Sequence, residues 1–540
     1  MKSRFIYLGL ILLAGFLLRL PYLNFPSIGY HNMKENEYIG MATEMLRTGD
    51  FLNRRVYFYN GLEKGPGFMD LYPQLPLVSY QIILAWKLFG NNLWGPRLIQ
   101  ILFMLGAIVI IYHITKRLMQ DARCALLSSA LLAIMPLGVF FARNLQPESP
   151  AFFFMLLASF FYLRFISTFK FSELFYAGLS VSVTFAYKYS FLISLFPLAF
   201  IFPHKDFISY LRKNNISVNR FLSIAFFSLL PALILFLFFI LRNEWIFPSN
   251  AGRIRLLEIF TAGYWHQYGL LIIKYYFYQE NFTFWYAILG CAGVFFALAN
   301  KKELVSRYIL GQVAAAVIYA MVFSDYINQH AYYQMPFLGV MCISSVLAIR
   351  QITQVLKSIF KKELFAGFCT VLIMLSFPEI KSALTAAWQT VFYGQEIAGD
   401  FIRKNTQSNE RFFHLTHPSG QGHAVSTYAQ RRCGWTWDLE EFKRAENDFN
   451  IKLLCVYPAG ILETLYNNKD LYSYIRDNYR VIQIGDFLEK GQFYFSYLIL
   501  QRPGKLDIPG FIRAYKDKAE AVKVYEVFGK KTPFFLIKAE

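Results

Sequence analysis

The chain has 540 residues, of which 56% are apolar, 19% aromatic and only 16% charged, with a mean hydropathy of +0.35. Soluble globular domains have about 25% charged residues, so this composition excludes a single soluble fold and a disordered chain. Lys and Arg outnumber Asp and Glu by 54 to 35, a formal net charge of +19. Such an excess suggests nucleic-acid binding in a soluble protein, but cytoplasmic loops of membrane proteins also collect Lys and Arg. The composition therefore favours a polytopic membrane protein with room for one soluble domain.

Apolar runs that could cross about 30 Å of hydrocarbon recur through the first part of the chain. The first run follows Lys2 and Arg4, and no cleavage site follows it, so we interpret it as an uncleaved anchor. The runs on either side of Lys188 are each short, as in a broken helix or a tight hairpin. Eleven candidate transmembrane helices result, near residues 5–25, 93–115, 123–141, 151–167, 173–187, 189–203, 221–242, 281–298, 304–323, 334–350 and 364–378.

Basic loops orient these spans. When the spans alternate across the membrane, every loop on the side of Lys2 and Arg4 is basic, which places the N-terminus in the cytoplasm. An odd number of spans carries the C-terminal region to the opposite face. The sequence therefore predicts an α-helical polytopic membrane domain over residues 1–378, which includes an outer loop at 26–92 with juxtamembrane helices. Residues 379–540 form an extracytoplasmic domain in this prediction.

The last 160 or so residues have the composition of a soluble domain. Helical patterns alternate there with short β-rich runs, which is typical of a small α/β domain with helices packed on a mixed sheet. Cys433 and Cys455 could form a disulfide outside the cytoplasm. No Cys and His spacing in the chain is typical of a metal site. The alternating runs lie at residues 396–404, 412–416, 439–446, 452–456, 462–465, 471–479, 480–484 and 493–500.

The densest polar patch lies directly after the first apolar run, where ionisable groups are costly and usually have a task. It extends from Gly29 to Tyr38 and leads into an amphipathic helix that Gly49 ends. Glu35 and Glu37 are about 200° apart around that helix, so at most one of them faces a given cavity. A solvated helix start with acids in its first turn explains the patch equally well.

Three further patches share the outer face in this topology. Glu148 follows a short loop and either caps the next helix or belongs to a site. Lys188 lies between two short apolar runs, where non-helical backbone should line protein or a wet cavity. His330, Tyr332 and Tyr333 lie at the mouth of a span, although a plain interfacial belt also explains the tyrosines. Together these groups suggest a ligand with an anionic head and an apolar tail.

The motifs follow a recognisable order along the chain. They are Arg19–Pro21, the acidic segment ending at Tyr38, Met45–Gly49, the Pro-rich segment 72–77, Lys87–Gly90, Arg97, Arg143–Glu148, Lys188 and the segment from His330 to Tyr333. This order resembles that of polytopic GT-C type glycosyltransferases. The resemblance is strongest to the bacterial branch similar to protein mannosyltransferases and lipid A aminoarabinose transferases.

The resemblance implies a sugar donor linked to polyprenyl phosphate and an acid in the first outer loop as catalytic base. A hexosyl or pentosyl group would pass, with inversion, to a hydroxyl of a glycolipid, polysaccharide or protein. The reaction would take place on the outer face of the bacterial inner membrane, among membrane lipids. No cofactor is required because phosphate is already a good leaving group, and a divalent metal is optional. Most of the basic excess lies in the cytoplasmic loops, so it gives no support for nucleic-acid binding.

Two glutamates compete for the role of base. Many relatives have Asp-Glu-x-x-Tyr, whereas the corresponding segment Lys34–Tyr38 begins with a lysine. Glu35 matches the second acid of that motif. A sub-branch with Trp-His-x-x-Arg-Gln-x-Asp-Thr places the base at Glu37, and His31 fits that pattern, so we favour Glu37 slightly. Glu148 then positions the acceptor or shares the carboxylate role.

Substrate binding falls to other loop residues, because the lysine that often precedes the Pro-rich segment is absent. A transporter or flippase for a lipid-linked sugar is the competing function, and it would require ionisable residues near mid-membrane in matching halves. A ligase or polymerase for lipid-linked sugars is a further alternative. The candidate residues for binding the lipid phosphate or sugar are Arg54, Arg55, Lys64, Asp70, Lys188, His330 and Tyr333.

Overall fold

The structure is a computed structural model that describes residues 2–52, 54–57, 75–241, 257–415, 422–457 and 468–539. Lys64 and Asp70, two predicted binding residues, lie outside the described residues. Contacts divide the chain into two compact units, which are described separately. The first comprises Met1–Leu23, Pro73–Leu77 and Trp94–Ala386, and the second comprises Asn24–Tyr72, Val78–Leu93 and Ala387–Glu540. The domain boundary at residue 378 stays a prediction.

Helices make up most of the described chain. Short 3-10 helices lie at Phe141–Arg143, Glu258–Phe260 and Lys516–Lys518, longer ones at Tyr189–Ile201 and Ala331–Phe337, and a π-helix at Leu270–Phe282. The α-helices are α1 (Lys2–Arg19), α2 (Asn32–Thr48), α3 (Leu77–Phe89), α4 (Trp94–Met119), α5 (Ala122–Ile134), α6 (Pro136–Phe140), α7 (Glu148–Thr168), α8 (Phe171–Lys188), α9 (His204–Lys213), α10 (Val218–Leu241), α11 (Ala262–Gly269), α12 (Phe284–Ala299), α13 (Leu304–Val322), α14 (Ser324–Ile327), α15 (Leu338–Phe360), α16 (Phe365–Gln389), α17 (Gln395–Lys404), α18 (His423–Ala429), α19 (Leu439–Asp448), α20 (Lys469–Asn478) and α21 (Ile508–Tyr515).

The first unit contains the helices that are suited to a membrane. By length and apolar composition, seven described segments could cross it, or up to nine if each of two bent pairs is one span. The sequence predicted eleven, and part of the difference is that the runs at 173–187 and 189–203 form one 31-residue segment, Phe171–Ile201. The apolar part of the first helix, Phe5–Arg19, is also shorter than a full span. The chain is a multi-pass membrane protein.

Arg19 holds together a broken span in this unit. The span that contains α5 and α6 is broken at Met135 and Pro136, where it bends by 65°. A break of this kind leaves backbone carbonyls without helical hydrogen bonds inside an apolar bundle. The Arg19 guanidinium is fully buried and donates to the carbonyl oxygens of Ala133 and Gly138 at 2.9 and 2.8 Å. The Arg-Leu-Pro motif thus supplies the hydrogen bonds that the broken helix lacks.

The second unit contains a seven-stranded mixed sheet, as predicted for the C-terminal region. The strand order is β2-β1-β3-β5-β4-β7-β6; β1 is parallel to β2 and β3, and the remaining pairs are antiparallel. Neighbouring residues of β1 serve opposite faces, because Phe413 packs in a core with Phe442 and Phe412 in a core with Ala398. The strands are β1 (Phe412–Leu415), β2 (Cys433–Gly434), β3 (Leu453–Val456), β4 (Arg480–Glu489), β5 (Gln492–Gln501), β6 (Glu520–Val527) and β7 (Lys530–Lys538).

The predicted helices near residues 396–404, 439–446 and 471–479 are present, and so are the strands near 412, 453, 480 and 493. Residues 462–465 lie outside the described part. The hairpin β6–β7 and the helices α18 and α21 were not predicted. Cys433 and Cys455 are free, so the disulfide considered from the sequence is not formed. They lie in β2 and β3, on either side of β1, too far apart for a disulfide.

The helices α2 and α3 of the second unit follow the sequence closely. Gly49 ends α2 in the left-handed region at φ 73°, and its N–H donates to the carbonyl of Met45 at 2.9 Å. The α2 helix packs against α18, where the Thr427 hydroxyl donates to the carbonyl of Asn36 at 3.1 Å. One of the juxtamembrane helices predicted for residues 26–92 is α3, Leu77–Phe89.

Candidate active site

The two candidate bases lie on different sides of α2 and have different partners. Glu35 is 5% exposed, and one of its carboxylate oxygens accepts a hydrogen bond from the Ser27 hydroxyl at 2.7 Å. Asn36, next to it, donates through its side-chain amide to the carbonyls of Ser27 and Asn32. These contacts fasten the start of α2 to the preceding turn.

Glu37 lies between two basic side chains. Lys34 Nζ is 3.1 Å from one carboxylate oxygen and His423 Nε2, from α18, is 3.4 Å from the other. Burial disfavours the charged carboxylate, but Lys34 and His423 outweigh this effect and lower the pKa of Glu37 to about 2. The Glu37 side chain keeps 13% of its surface exposed. It is therefore an oriented, ionised carboxylate that a small group can still reach.

His31 has a structural position at the start of α2. Its backbone is in the left-handed region, with φ 54° and ψ 35°, and its ring lies 4.1 Å from that of Tyr30. Burial lowers the pKa of His31 to about 3, so the imidazole is neutral at ordinary pH. His31 therefore does not supply a cation for an anionic ligand.

A third acid of α2 was not singled out from the sequence. Glu44 accepts hydrogen bonds from Arg47 at 2.7 and 2.9 Å and from the Tyr57 hydroxyl at 2.6 Å. Because these donors occupy both of its oxygens, Glu44 has a structural role. Of the predicted phosphate-binding arginines that follow α2, Arg54 is buried and Arg55 is exposed.

In the first unit, Glu148 and Lys188 form a buried ion pair. Glu148 is 1% exposed at the start of α7, and Lys188 is 5% exposed at the end of α8. The backbone of Lys188 is extended, with φ −157° and ψ 101°, so the helix is interrupted at this residue, as its sequence position predicted. The second oxygen of Glu148, Oε2, has no hydrogen-bond partner among the described residues. A buried acceptor of this kind normally has a partner, so Glu148 can still accept a hydroxyl.

Aromatic rings surround the Lys188 ammonium. Its Nζ lies 5.0 Å from the ring centroid of Tyr332 and 4.5 Å from that of Tyr333, within the range of a cation–π contact. His330 stacks on Tyr332 with the centroids 5.0 Å apart. The structure thus brings together Glu148, Lys188 and the predicted His330–Tyr333 segment.

An apolar cavity of about 390 Å³ lies next to this cluster in the same unit. Tyr333 is one of its lining residues and also contacts Lys188, so a single ring connects the apolar space to a buried cation. Other lining residues include Ile272, Phe282, Val313, Tyr319, Gln334 and Phe337. The cavity therefore suits an apolar chain whose polar end is anionic.

Comparison with known proteins gives matches in sequence and in structure. Residues 73–241 match the dolichyl-phosphate-mannose-protein mannosyltransferase family. An uncharacterised protein of Aquifex aeolicus is 26% identical over 293 residues, which are 53% of this chain and 54% of that protein, so the chain spans about half the length of this relative.

The solved structures that match over most of this chain include those of AglB and ArnT. The archaeal oligosaccharyltransferase AglB of Archaeoglobus fulgidus, in complex with an inhibitory peptide and a dolichol-phosphate, is 13% identical, with a TM-score of 0.56 over 91% of this chain and 74% of that chain. ArnT of Cupriavidus metallidurans in the apo state is 12% identical, with a TM-score of 0.56 over 92% and 97% of the two chains. Its structure bound to undecaprenyl phosphate matches with a TM-score of 0.50, 12% identity and coverage of 86% and 94%. The fold is of the GT-C type.

Two of the ionisable clusters in the described part of this GT-C fold contain predicted site residues, one in each unit. Glu37, Lys34 and His423 form the cluster of the second unit, and Glu148 and Lys188 form the core of the first. Within the described ranges, no group of three or more His, Cys, Asp or Glu side chains is placed to hold a metal ion. The expected independence from cofactors stays a prediction.

Proposed function

We propose that this chain is a membrane glycosyltransferase that moves a sugar from a polyprenyl-phosphate donor to a hydroxyl group of an acceptor. The GT-C fold supports this proposal, because two proteins with similar folds have been solved with dolichol-phosphate and undecaprenyl phosphate. The matching mannosyltransferase family is likewise named for a dolichyl-phosphate sugar. Each of these ligands combines a phosphate with a long apolar chain.

The observation on which the proposal rests is the cation next to the apolar cavity. Lys188 carries a positive charge at 5% exposure beside Tyr333, which also lines the 390 Å³ cavity. A buried ammonium has a large desolvation cost, so it is retained where charge is needed. A polyprenyl chain in the cavity would place its phosphate within reach of Lys188. Among the described residues Lys188 pairs with Glu148, and an ammonium group is a strong hydrogen-bond donor to phosphate oxygens.

Glu37 is the proposed base. In the transfer step the acceptor oxygen forms a bond to the anomeric carbon of the sugar and gives its proton to Glu37. The bond between that carbon and the phosphate oxygen breaks, and its electron pair leaves with the polyprenyl phosphate. Attack opposite the leaving group inverts the anomeric centre. With a pKa of about 2, Glu37 is a weak base that is always ionised, so it accepts the proton late, when the new bond has made the hydroxyl acidic.

Glu148 is proposed to hold the acceptor or to share the carboxylate role through Oε2, the oxygen for which the described residues offer no hydrogen-bond donor. The acceptor is a hydroxyl of a glycolipid, polysaccharide or protein, and the transferred group is a hexosyl or pentosyl unit. The basic loops support an arrangement with the N-terminus in the cytoplasm and residues 379–540 outside. The reaction then takes place on the outer face of a bacterial inner membrane.

The test is sugar transfer from a radiolabelled polyprenyl-phosphate sugar in membranes that contain each variant. Glu37→Gln should lower transfer by about 100-fold or more, and Glu148→Gln should lower it by a smaller factor. Glu440→Gln is the control, because that side chain is 81% exposed on α19. Full activity of Glu37→Gln would refute its role as base. Release of unmodified lipid-linked sugar across the membrane, without transfer, would identify the chain as a transporter instead.

A further inference from the structure

The second unit contains a separate cavity of about 660 Å³. One side is the face of α2 formed by Ile39, Thr43 and Leu46, which are four and three residues apart. The other sides are the end of α3 with the loop that follows it, and the segments α17 and α18. Its volume is in the range of about 300–1,000 Å³ that is typical of small-molecule sites.

Hydrogen bonds hold the loop after α3 in place. The Trp86 indole N–H donates to the carbonyl of Asn92 at 2.8 Å, and the Asn92 side chain donates to the carbonyls of Phe89 and Gly90. The next residue, Leu93, donates through its backbone to the side chain of Asn24 at 3.3 Å. Trp86 is therefore fixed as a wall of the cavity.

The opposite wall is equally well connected. The hydroxyl of Tyr428, which lines the cavity, accepts a hydrogen bond from the backbone N–H of Ser27 at 3.0 Å. Thr427, also in the lining, donates to the carbonyl of Asn36. Because segments far apart in the sequence are joined in this way, the cavity is largely formed before a ligand binds, which reduces the entropy cost of binding.

The charges of the lining are all positive. The cationic side chains of the lining are Lys87 and Arg403, and no carboxylate is among the described lining residues. Lys87 is exposed and has no ion pair with any described residue. Arg403 pairs with Asp400 at 2.8 Å, with both side chains more than 40% exposed. Such exposed pairs contribute little to stability, so an anion can replace Asp400 at low cost.

The remaining lining groups fit a saccharide ring. Trp86 offers a flat aromatic surface, which suits the face of a sugar ring that carries C–H groups. Asn91, Gln430 and Thr43 offer amide and hydroxyl groups for sugar hydroxyls. An apolar wall with a few convergent polar groups is the usual composition of a small-molecule site.

We propose that this cavity binds an acidic saccharide, with Lys87 and Arg403 holding its phosphate or carboxylate and Trp86 contacting its ring. Leu84, Leu88 and Phe89 of α3 are exposed beside Lys87, as in a helix that contacts lipid. The saccharide can therefore be a glycolipid head group or a soluble sugar acid. Its further assignment as the acceptor head group rests on the proposed glycosyltransferase function.

The test measures binding to the purified full chain in detergent, without turnover. Glucose 6-phosphate, glucose and inorganic phosphate probe soluble ligands, and glucuronosyl diacylglycerol and glucosyl diacylglycerol in mixed micelles probe lipid ligands. We expect each acidic sugar to bind about tenfold or more tightly than its neutral counterpart, and glucose 6-phosphate to bind more tightly than phosphate alone. Tighter binding of the glucuronosyl lipid than of glucose 6-phosphate would identify a glycolipid as the ligand, and the reverse a soluble sugar acid.

Variants locate the binding. The double variant Lys87→Glu/Arg403→Glu should lose the preference for acidic over neutral sugars. Trp86→Leu should weaken the binding of acidic and of neutral sugars. Trp86→Phe, which retains a ring, should bind the sugars more tightly than Trp86→Leu does. An equal loss of affinity in the two variants would indicate structural damage and would overturn the ring contact. Lys490→Glu, an exposed charge reversal in the β4–β5 turn, should behave as wild type. Unchanged affinities in the double variant would refute the proposal.

The two proposals can fail separately. If the double variant binds acidic sugars as wild type does while Glu37→Gln abolishes transfer, the saccharide site is wrong and the glycosyltransferase function stands. If acidic sugars bind in a manner that depends on Lys87 but no sugar transfer is detected, the saccharide site stands and the transferase is wrong.

Discussion

His423 Nε2 lies 3.4 Å from Glu37 Oε1. Glu37 belongs to the segment of residues 26–92 and His423 to a helix of the C-terminal sheet region, so residues far apart in the sequence orient the proposed base. Lys34, three residues before Glu37 on α2, contacts the other oxygen. The resemblance to GT-C type glycosyltransferases predicted an acid at the position of Lys34. In this chain the residue there stabilises the charge of a neighbouring acid.

Replacing Lys34 should change the pH dependence of transfer. Lys34→Met removes the largest influence that lowers the pKa of Glu37, so burial raises that pKa from about 2 toward its ordinary value of 4.5. Because the base acts in its ionised form, activity should then fall as the pH is lowered through about 5 to 3, whereas wild type should show no such acid limb in that range. Lys34→Arg retains the charge and should follow wild type. Identical pH profiles for wild type and Lys34→Met would contradict this role.

The Glu148–Lys188 pair should show strong coupling. Glu148→Gln leaves the charge of Lys188 buried without its partner, and Lys188→Met leaves the carboxylate of Glu148 buried without its partner. Each variant should therefore lose about 3–5 kcal/mol of stability. The double variant Glu148→Gln/Lys188→Met removes both charges and should lose less than the sum of the two. Thermal unfolding in detergent measures these differences. Additive losses would show that the two side chains do not interact.

Lys188→Met should also weaken donor binding, as a rise in the KM for the polyprenyl-phosphate sugar that exceeds any fall in kcat. Glu148→Gln, which leaves the cation in place, should raise the KM much less. An unchanged KM in Lys188→Met would exclude Lys188 from phosphate binding, whatever its effect on stability.

Arg19→Lys should destabilise the first unit although the charge is retained. A lysine cannot reproduce the planar fork that donates to Ala133 and Gly138 on one side and to Gly15 at 2.7 Å on the other. The free energy of unfolding should fall by about 2–4 kcal/mol, because buried carbonyls next to the bend would lose charged hydrogen-bond donors. Arg123→Lys, with 64% of its side chain exposed, is the matched control and should change the melting temperature little. Equal melting temperatures of the two variants would exclude this role for Arg19.

Two glycines with the same backbone conformation should respond differently to alanine. Gly394 has φ 80°, and a Cβ there would lie 2.1 Å from the ring of Phe534, whereas Gly491 has φ 79° and no atom within 4 Å of a Cβ. Gly491→Ala should lower the free energy of unfolding by about 1–2 kcal/mol, because alanine disfavours the left-handed backbone. Gly394→Ala adds a clash in the core and should cost about 3 kcal/mol or more. Similar melting temperatures for both variants would show that the Gly394 site can relax.

Much of the architecture follows from local patterns in the sequence. Hydrophobic runs and the basic loops indicated a multi-pass membrane protein, because a bilayer requires long apolar helices whatever their packing. Gly49 indicated the end of α2 because its left-handed conformation is a local preference. The alternation of helical and β-rich runs predicted the mixed sheet, although it missed β6, which has many exposed residues, and β7, which pairs with it.

The site could be predicted only as a set of candidates. The sequence by itself determined that Glu35 and Glu37 lie on different sides of one helix, because the helical period places them there. Only the tertiary structure decided that Glu37 contacts His423, whereas Glu35 accepts a hydrogen bond from Ser27. It also decided that Glu148 pairs with Lys188. Helical and strand periods depend on neighbouring residues, whereas the partner of a side chain depends on which distant elements pack against it. That packing also gives the two clusters their burial and charge.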